Sequence, residues 1–160
     1  SHSFDDQGAQ FDEQGRLRNW WTPADFEHFT AAGARLVEQY NGYRPFPDLA
    51  VNGKLTLGEN IADLAGLAAA YDGWKASLGG APAPMADGLD GDQQFFVAFA
   101  QTWQTKAREA ALRRGIATDG HAPGQYRALT VRNLDAWYGA FGVMPGQALY
   151  LAPEQRVRVW

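Results

Sequence analysis

The run from Thr56 to Leu78 constrains this chain more than any other stretch. It reads as one helix, with Leu57, Ile61, Leu64, Leu67, Ala68, Tyr71 and Trp74 at helical spacing. Small residues (Ala62, Ala65, Gly66, Ala69, Ala70) let a neighbouring helix approach closely. Glu59 and Asp63 interrupt the apolar run, so helix packing explains it rather than insertion into a bilayer. The two carboxylates stand four residues apart and therefore share one side of the helix. A buried carboxylate is costly unless a metal, a cation or a hydrogen-bond donor compensates it. Two readings stay open. Glu59 is an acidic residue favoured by a helix N-terminus and Asp63 an exposed polar position, or the pair serves a site.

The remaining pattern is also helical. Thr22-Pro23 opens a helix, with a capping hydroxyl followed by proline at the first helical position. Phe26, Phe29, Gly33, Leu36, Val37 and Tyr40 form its inner face, and Asn41-Gly42 end it. Residues 5–19 read as a polar loop and 43–55 as a loop with one short strand. Residues 79–91 are a Gly/Pro/Ala-rich linker. Asp92 caps a third helix running to about Arg114, with Phe95, Phe96, Phe99 and Trp103 in its core stripe. A glycine-rich loop at 115–125 surrounds His121, and a last helix covers Val131 to Phe141. The expected architecture is mainly α, with long ordered loops and little β.

The 160 residues suffice for one compact domain with a real core. A net charge of −4 argues against a nucleic-acid partner held through phosphates. No apolar stretch reaches the roughly 18 residues needed to span a membrane. The chain has no cysteine, which fits the cytoplasm and many periplasmic or secreted bacterial proteins alike.

Two further groups of residues can carry chemistry. His2 is followed by Asp5 and Asp6, and such carboxylates can hold an imidazole in the tautomer that binds a metal. Ser-His at a chain start also reads as a remnant of expression. In Asp119-Gly120-His121-Ala122-Pro123-Gly124, with Arg127 beyond, a rigid loop presents an imidazole beside a guanidinium. That pair suits a developing oxyanion; a surface turn with an incidental histidine is the plainer reading. His28 lies between core positions of its helix and is expected in solvent.

These segments together resemble the neprilysin family of zinc metallopeptidases, which includes endothelin-converting enzymes and bacterial oligopeptidases. Ser1-His2-Ser3-Phe4-Asp5-Asp6 is similar to the end of the family's His-Glu-x-x-His motif and the Phe-Asp-Asp that follows it. Gly58-Glu59-Asn60-Ile61-Ala62-Asp63 matches the family's motif letter for letter. Leu17 to Thr22, residues 119–124 and Arg158-Val159-Trp160 match its other signatures, in order. The resemblance implies a zincin-like catalytic domain, of which this chain is the C-terminal part. Residues 1–22 would be the end of the zinc helix and a loop, 23–78 the helices bearing the glutamate motif, and 92–160 the helices around the His121 loop.

It also implies roles. His2 and Glu59 would be the second and third zinc ligands. Asp63 would stand one turn behind Glu59 as a supporting carboxylate or proton donor. Asp5 and Asp119 would support the imidazoles. His121 and Arg127 would contact the substrate carbonyl and the transition state. The implied cofactor is one Zn²⁺ per complete site, and the implied substrate an oligopeptide. The first ligand histidine and the general-base glutamate are expected just before Ser1, so zinc binding by residues 1–160 alone is expected to be weak or absent. The rest of the enzyme is then an expected partner, and apolar surface left without it favours self-association. The missing cysteines resemble a bacterial type, favouring a periplasmic or secreted location. The competing expectation is a non-catalytic α-helical scaffold that kept this fold.

Overall fold

The computed structural model describes residues 2–160. Among the described residues six α-helices carry the fold: α1 (Pro23–Asn41), α2 (Leu57–Ser77), α3 (Gly91–Thr102), α4 (Glu109–Thr118), α5 (Gly124–Ala128) and α6 (Asp135–Phe141). Among the described residues there is no sheet; three isolated bridges, Phe11 with Leu17, Phe46 with Leu49 and Ala86 with Leu89, close local turns. The strand expected within 43–55 is therefore only the Phe46–Leu49 turn.

Helix α1 starts as expected, because the Thr22 hydroxyl accepts the Asp25 backbone N–H. Phe29, Ala32, Gly33, Leu36 and Tyr40 form its buried face. Phe26 departs from the expected stripe and is 54% exposed; its ring packs against the Trp21 side chain, with centroids 6.2 Å apart, outside the core cluster. His28 is exposed.

Helix α2 is the central element, packed against α1 on one side and a 3-10 segment, Leu129–Asn133, on the other. Its entry is fixed by a loop built around Asn52, whose side-chain oxygen accepts the Lys54 and Leu55 N–H groups. Gly53 is packed against α1: its N–H reaches the Asn41 side chain at 2.8 Å, and a Cβ there would sit 2.2 Å from the Val37 carbonyl oxygen. Gly53→Ala is therefore expected to destabilise the chain by about 1–3 kcal/mol, the usual cost of overpacking. A denaturant titration checks this, and an unchanged midpoint would contradict the packing described.

The third expected helix is corrected in two ways. Its N-cap is Asp90, in a reciprocal capping box with Gln93, and Asp92 lies inside the first turn. It also ends at Thr102. The chain runs irregularly from Trp103 to Arg108 before α4 begins, so 92–114 is two helices. The last expected helix is likewise interrupted, because Leu134 is extended between the 3-10 segment and α6. The break frees Asn133, whose side chain pairs with Gln39 and accepts the Val157 N–H at 2.9 Å.

Two clusters fill the interior. One joins α1, the first turns of α2, Tyr126 and the tail residues Val157 and Val159. The other joins Leu67, Phe96, Val131, Trp137 and Tyr138. The tail is tied down by Arg156, which lies 3.6 Å over the Tyr138 ring and pairs with Asp135 at 2.7 Å. The N-terminal segment and the loop before α5 meet at the N-terminal end of α2.

Candidate metal centre

Glu59 is the hub of that end. It sits in the first turn of α2, where the helix N-terminus favours negative charge. Its side chain is 23% exposed. His2 Nε2 stands 3.4 Å from one carboxylate oxygen and His121 Nε2 3.3 Å from the other. Arg127 Nη2 lies 3.5 Å from that second oxygen. All three distances exceed the usual N–H···O range of about 2.7–3.2 Å. Glu59 thus faces two imidazole nitrogens and a guanidinium without being saturated by short hydrogen bonds.

Each imidazole is set from behind by an aspartate. His2 Nδ1 lies 2.9 Å from Asp5 and His121 Nδ1 2.7 Å from Asp119. An ionised carboxylate only accepts, so Nδ1 carries the proton in both rings. In the neutral ring Nε2 then keeps its lone pair. Asp5 is itself fixed by the Gln7 and Gly8 N–H groups, at 2.9 and 2.8 Å. Burial pushes its carboxyl up, but the Gly8 N–H, the His2 ring and the Gln7 N–H outweigh that and leave it below the ordinary range. Asp119 is lowered by the His121 side chain and then by the His121 backbone N–H. Both aspartates are therefore anionic near neutral pH.

Gly58 keeps the approach close. A Cβ on Gly58 would lie 3.1 Å from Asp6 Oδ1 and 3.4 Å from Asp5 Oδ2, so the acidic loop can rest on the start of α2. Asp6 is raised by burial and then by the charge of Asp5, and its Oδ1 is a buried oxygen without a partner among the described residues.

Asp63, one turn after Glu59, takes Arg127 in a two-pronged pair: Nε donates to Oδ2 at 2.7 Å and Nη2 to Oδ1 at 2.8 Å. The side chains are 9% and 15% exposed. This bond, and then burial working against it, leaves the guanidinium above its ordinary range. The structure therefore brings together all seven residues singled out in the sequence: His2, Asp5, Glu59, Asp63, Asp119, His121 and Arg127. It adds Trp103, expected only as core, whose ring lies 4.0 Å under the Arg127 guanidinium.

The donor chemistry at Glu59 fits a zinc ion. A neutral imidazole nitrogen backed by a carboxylate, facing a glutamate, is a donor set that zinc takes. Among the described residues, however, no three His, Cys, Asp or Glu side chains converge with metal-binding geometry. His2 Nε2 and a Glu59 oxygen, 3.4 Å apart, are two side-chain atoms of the types such a set uses.

An α-helical unit with this carboxylate–imidazole cluster is the kind found in metallopeptidase domains, and comparison with known proteins agrees. The profile of peptidase family M13 matches residues 1–157. The neutral endopeptidase of Lactobacillus helveticus is 38% identical over 161 residues, covering all of this chain and 23% of that protein. Bovine endothelin-converting enzyme 1 is 37% identical over 164 residues, covering all of this chain and 21% of that enzyme. Among solved structures, the zinc metalloprotease Zmp1 of Mycobacterium tuberculosis in complex with an inhibitor superposes with a TM-score of 0.96 at 46% identity. That match covers 99% of this chain and 25% of the other. PepO from Lactobacillus rhamnosis gives a TM-score of 0.85 at 39% identity, covering 100% and 24%. The chain belongs to peptidase family M13, the neprilysin family, and spans between a fifth and a quarter of the length of these relatives.

Proposed function

We propose that this chain is the C-terminal part of a zinc endopeptidase that hydrolyses oligopeptides, and that it supplies two of three zinc ligands and the groups facing the substrate carbonyl. The observation that carries the reading is Glu59 between two imidazoles, each backed by an anionic aspartate. His2 and Glu59 would hold the metal. A zinc ion held there would supply a water of lowered pKa and a Lewis acid for the scissile carbonyl. A third protein ligand and a general base then come from outside residues 2–160, in keeping with the much greater length of the relatives.

The chain's own residues do the rest. Asp5 keeps His2 in the tautomer that presents a lone pair at Nε2. His121, where protonated, donates from Nε2 while Asp119 accepts from its Nδ1. Arg127 commits Nε and Nη2 to Asp63, which holds its Nη1 donors toward a carbonyl oxygen. Two preset donors at a developing oxyanion are a large contribution, since removing one such donor typically costs about 10²–10³ in rate.

The test is hydrolysis of an internally quenched oligopeptide by the full-length polypeptide. Activity lost on chelation and regained with one equivalent of zinc is the expected result. A polypeptide that folds, takes up zinc and cleaves nothing would instead support a scaffold that kept the fold and lost the chemistry.

A further inference from the structure

The proposed chemistry uses Glu59 and Asp63 but leaves Asn60, the third polar residue of their motif, without a part. Yet Asn60 is 0% exposed and lies inside a helix. Asparagine is a poor helix former, and a buried amide is costly unless its atoms are hydrogen-bonded. Only one end of this amide is satisfied. Nδ2 donates to the Thr56 hydroxyl at 2.8 Å, while Oδ1 is buried with no partner among the described residues. An apolar side chain of the same size would suit the core better, so stability does not explain an asparagine at this place.

The satisfied end ties down the first turn of α2. The first N–H groups of a helix have no partner within it, and a threonine at the N-cap ordinarily supplies one. The Thr56 side chain does not. It accepts from Asn60 and donates to the Asn52 carbonyl at 3.1 Å, the same oxygen that takes the Thr56 N–H at 3.1 Å. Asn60, Thr56 and Asn52 thus form one chain of bonds from the helix into the loop before it, closed to water at Asn60 and Thr56. Successive residues of a helix point about 100° apart. With Asn60 locked on the core side, the first turn cannot rotate about the helix axis. Glu59 beside it then keeps its direction toward His2 and His121.

We propose that Asn60 is a positioning residue for the metal centre: its amide, bonded to Thr56, sets the rotation of the first turn of α2 and thereby aims the Glu59 carboxylate at the zinc site. This rests on the reading of Glu59 as a zinc ligand. Outer partners of metal ligands typically contribute about 10- to 100-fold to affinity. Asn60 belongs at the lower end of that range, since it acts through the backbone of Glu59 rather than on its carboxylate.

The experiment measures two quantities on the full-length polypeptide: zinc affinity, by competition with a chelator, and stability of the metal-free form, by denaturant titration. Asn60→Leu should weaken zinc binding by about 10-fold and also destabilise the fold, since the Thr56 hydroxyl loses its donor. Combining Thr56→Val with Asn60→Leu leaves neither side chain unpaired, so stability should return toward that of the unaltered protein. Zinc binding should stay as weak as in Asn60→Leu. This double variant decides the matter even where Asn60→Leu does not fold. Phe96→Leu, in the other core cluster, should lower stability with zinc affinity changed less than about 2-fold. Zinc affinity that simply follows stability across the three variants gives Asn60 a structural role only and overturns the inference. Unchanged affinity in the double variant, with zinc lost in Glu59→Gln, overturns it too and leaves the role of Glu59 intact. A Glu59→Gln protein that keeps its zinc overturns that role and the inference with it.

Discussion

Glu59→Gln in the full-length polypeptide is expected to abolish stoichiometric zinc and to lower kcat/KM by well over 100-fold. Loss of an outer partner of a metal ligand typically costs about 10- to 100-fold in affinity or activity, and Glu59 is the group on which His2, His121 and Arg127 all converge. The amide keeps the size and the helical position but loses the charge. Asp5→Asn is the informative contrast. It retains both zinc donors and weakens only the hold on His2 Nδ1, so its loss should stay within that 10- to 100-fold range. Metal analysis after dialysis, together with peptide hydrolysis, separates the two variants. Equal losses in both would mean that Glu59 supports the site rather than binding the metal.

Asp63→Ala is the second large effect, and it acts on stability as well as on activity. The Arg127 guanidinium is only 15% exposed and would keep a single carboxylate neighbour, Glu59, at 3.5 Å. Removing one partner of such a pair costs up to about 3–5 kcal/mol, less here by whatever Glu59 offsets. The freed Arg127 would also close on Glu59 and compete for the zinc ligand. Both folding stability and zinc content should therefore fall. Truncating both members with Arg127→Ala should recover part of the stability but none of the activity, a coupling that a double-mutant cycle in denaturant measures directly. Additive stability losses would show that the pair is not the buried, two-pronged interaction described.

Parts of this architecture were legible in the sequence because their causes are local. Thr22-Pro23 announces α1, and the apolar spacing from Leu57 to Trp74 lies within one helix, Leu57–Ser77. The misread helix at 92–114 shows the limit. Between Phe95 and Leu112 there is no glycine or proline to mark an end. Where the chain leaves the helix, the Trp103 carbonyl lies against Gly124 and its ring under Arg127, contacts with residues more than twenty positions away. The break at Leu134 has the same character, since it lets Asn133 bond Gln39 and Val157 across the molecule.

The site divides in the same way. The carboxylates on α2 are visible as two acids on one face of an apolar helix, but their partners lie far away in sequence. His121 is 121 − 59 = 62 positions from Glu59, and no periodicity connects them. Only the likeness of ordered motifs to a known family gathered His2, Glu59 and His121 into one site, and that likeness carried no information about Trp103. A tryptophan at the end of an aromatic stripe reads as core in any single sequence.

The most direct test of the central claim is anomalous diffraction at the zinc edge from crystals of the full-length protein. The account predicts one strong peak with His2 Nε2 and a Glu59 oxygen as ligands at about 2.0–2.2 Å, and a third ligand from outside residues 2–160. A peak that excludes Glu59, or one coordinated by His121 in place of His2, would contradict it.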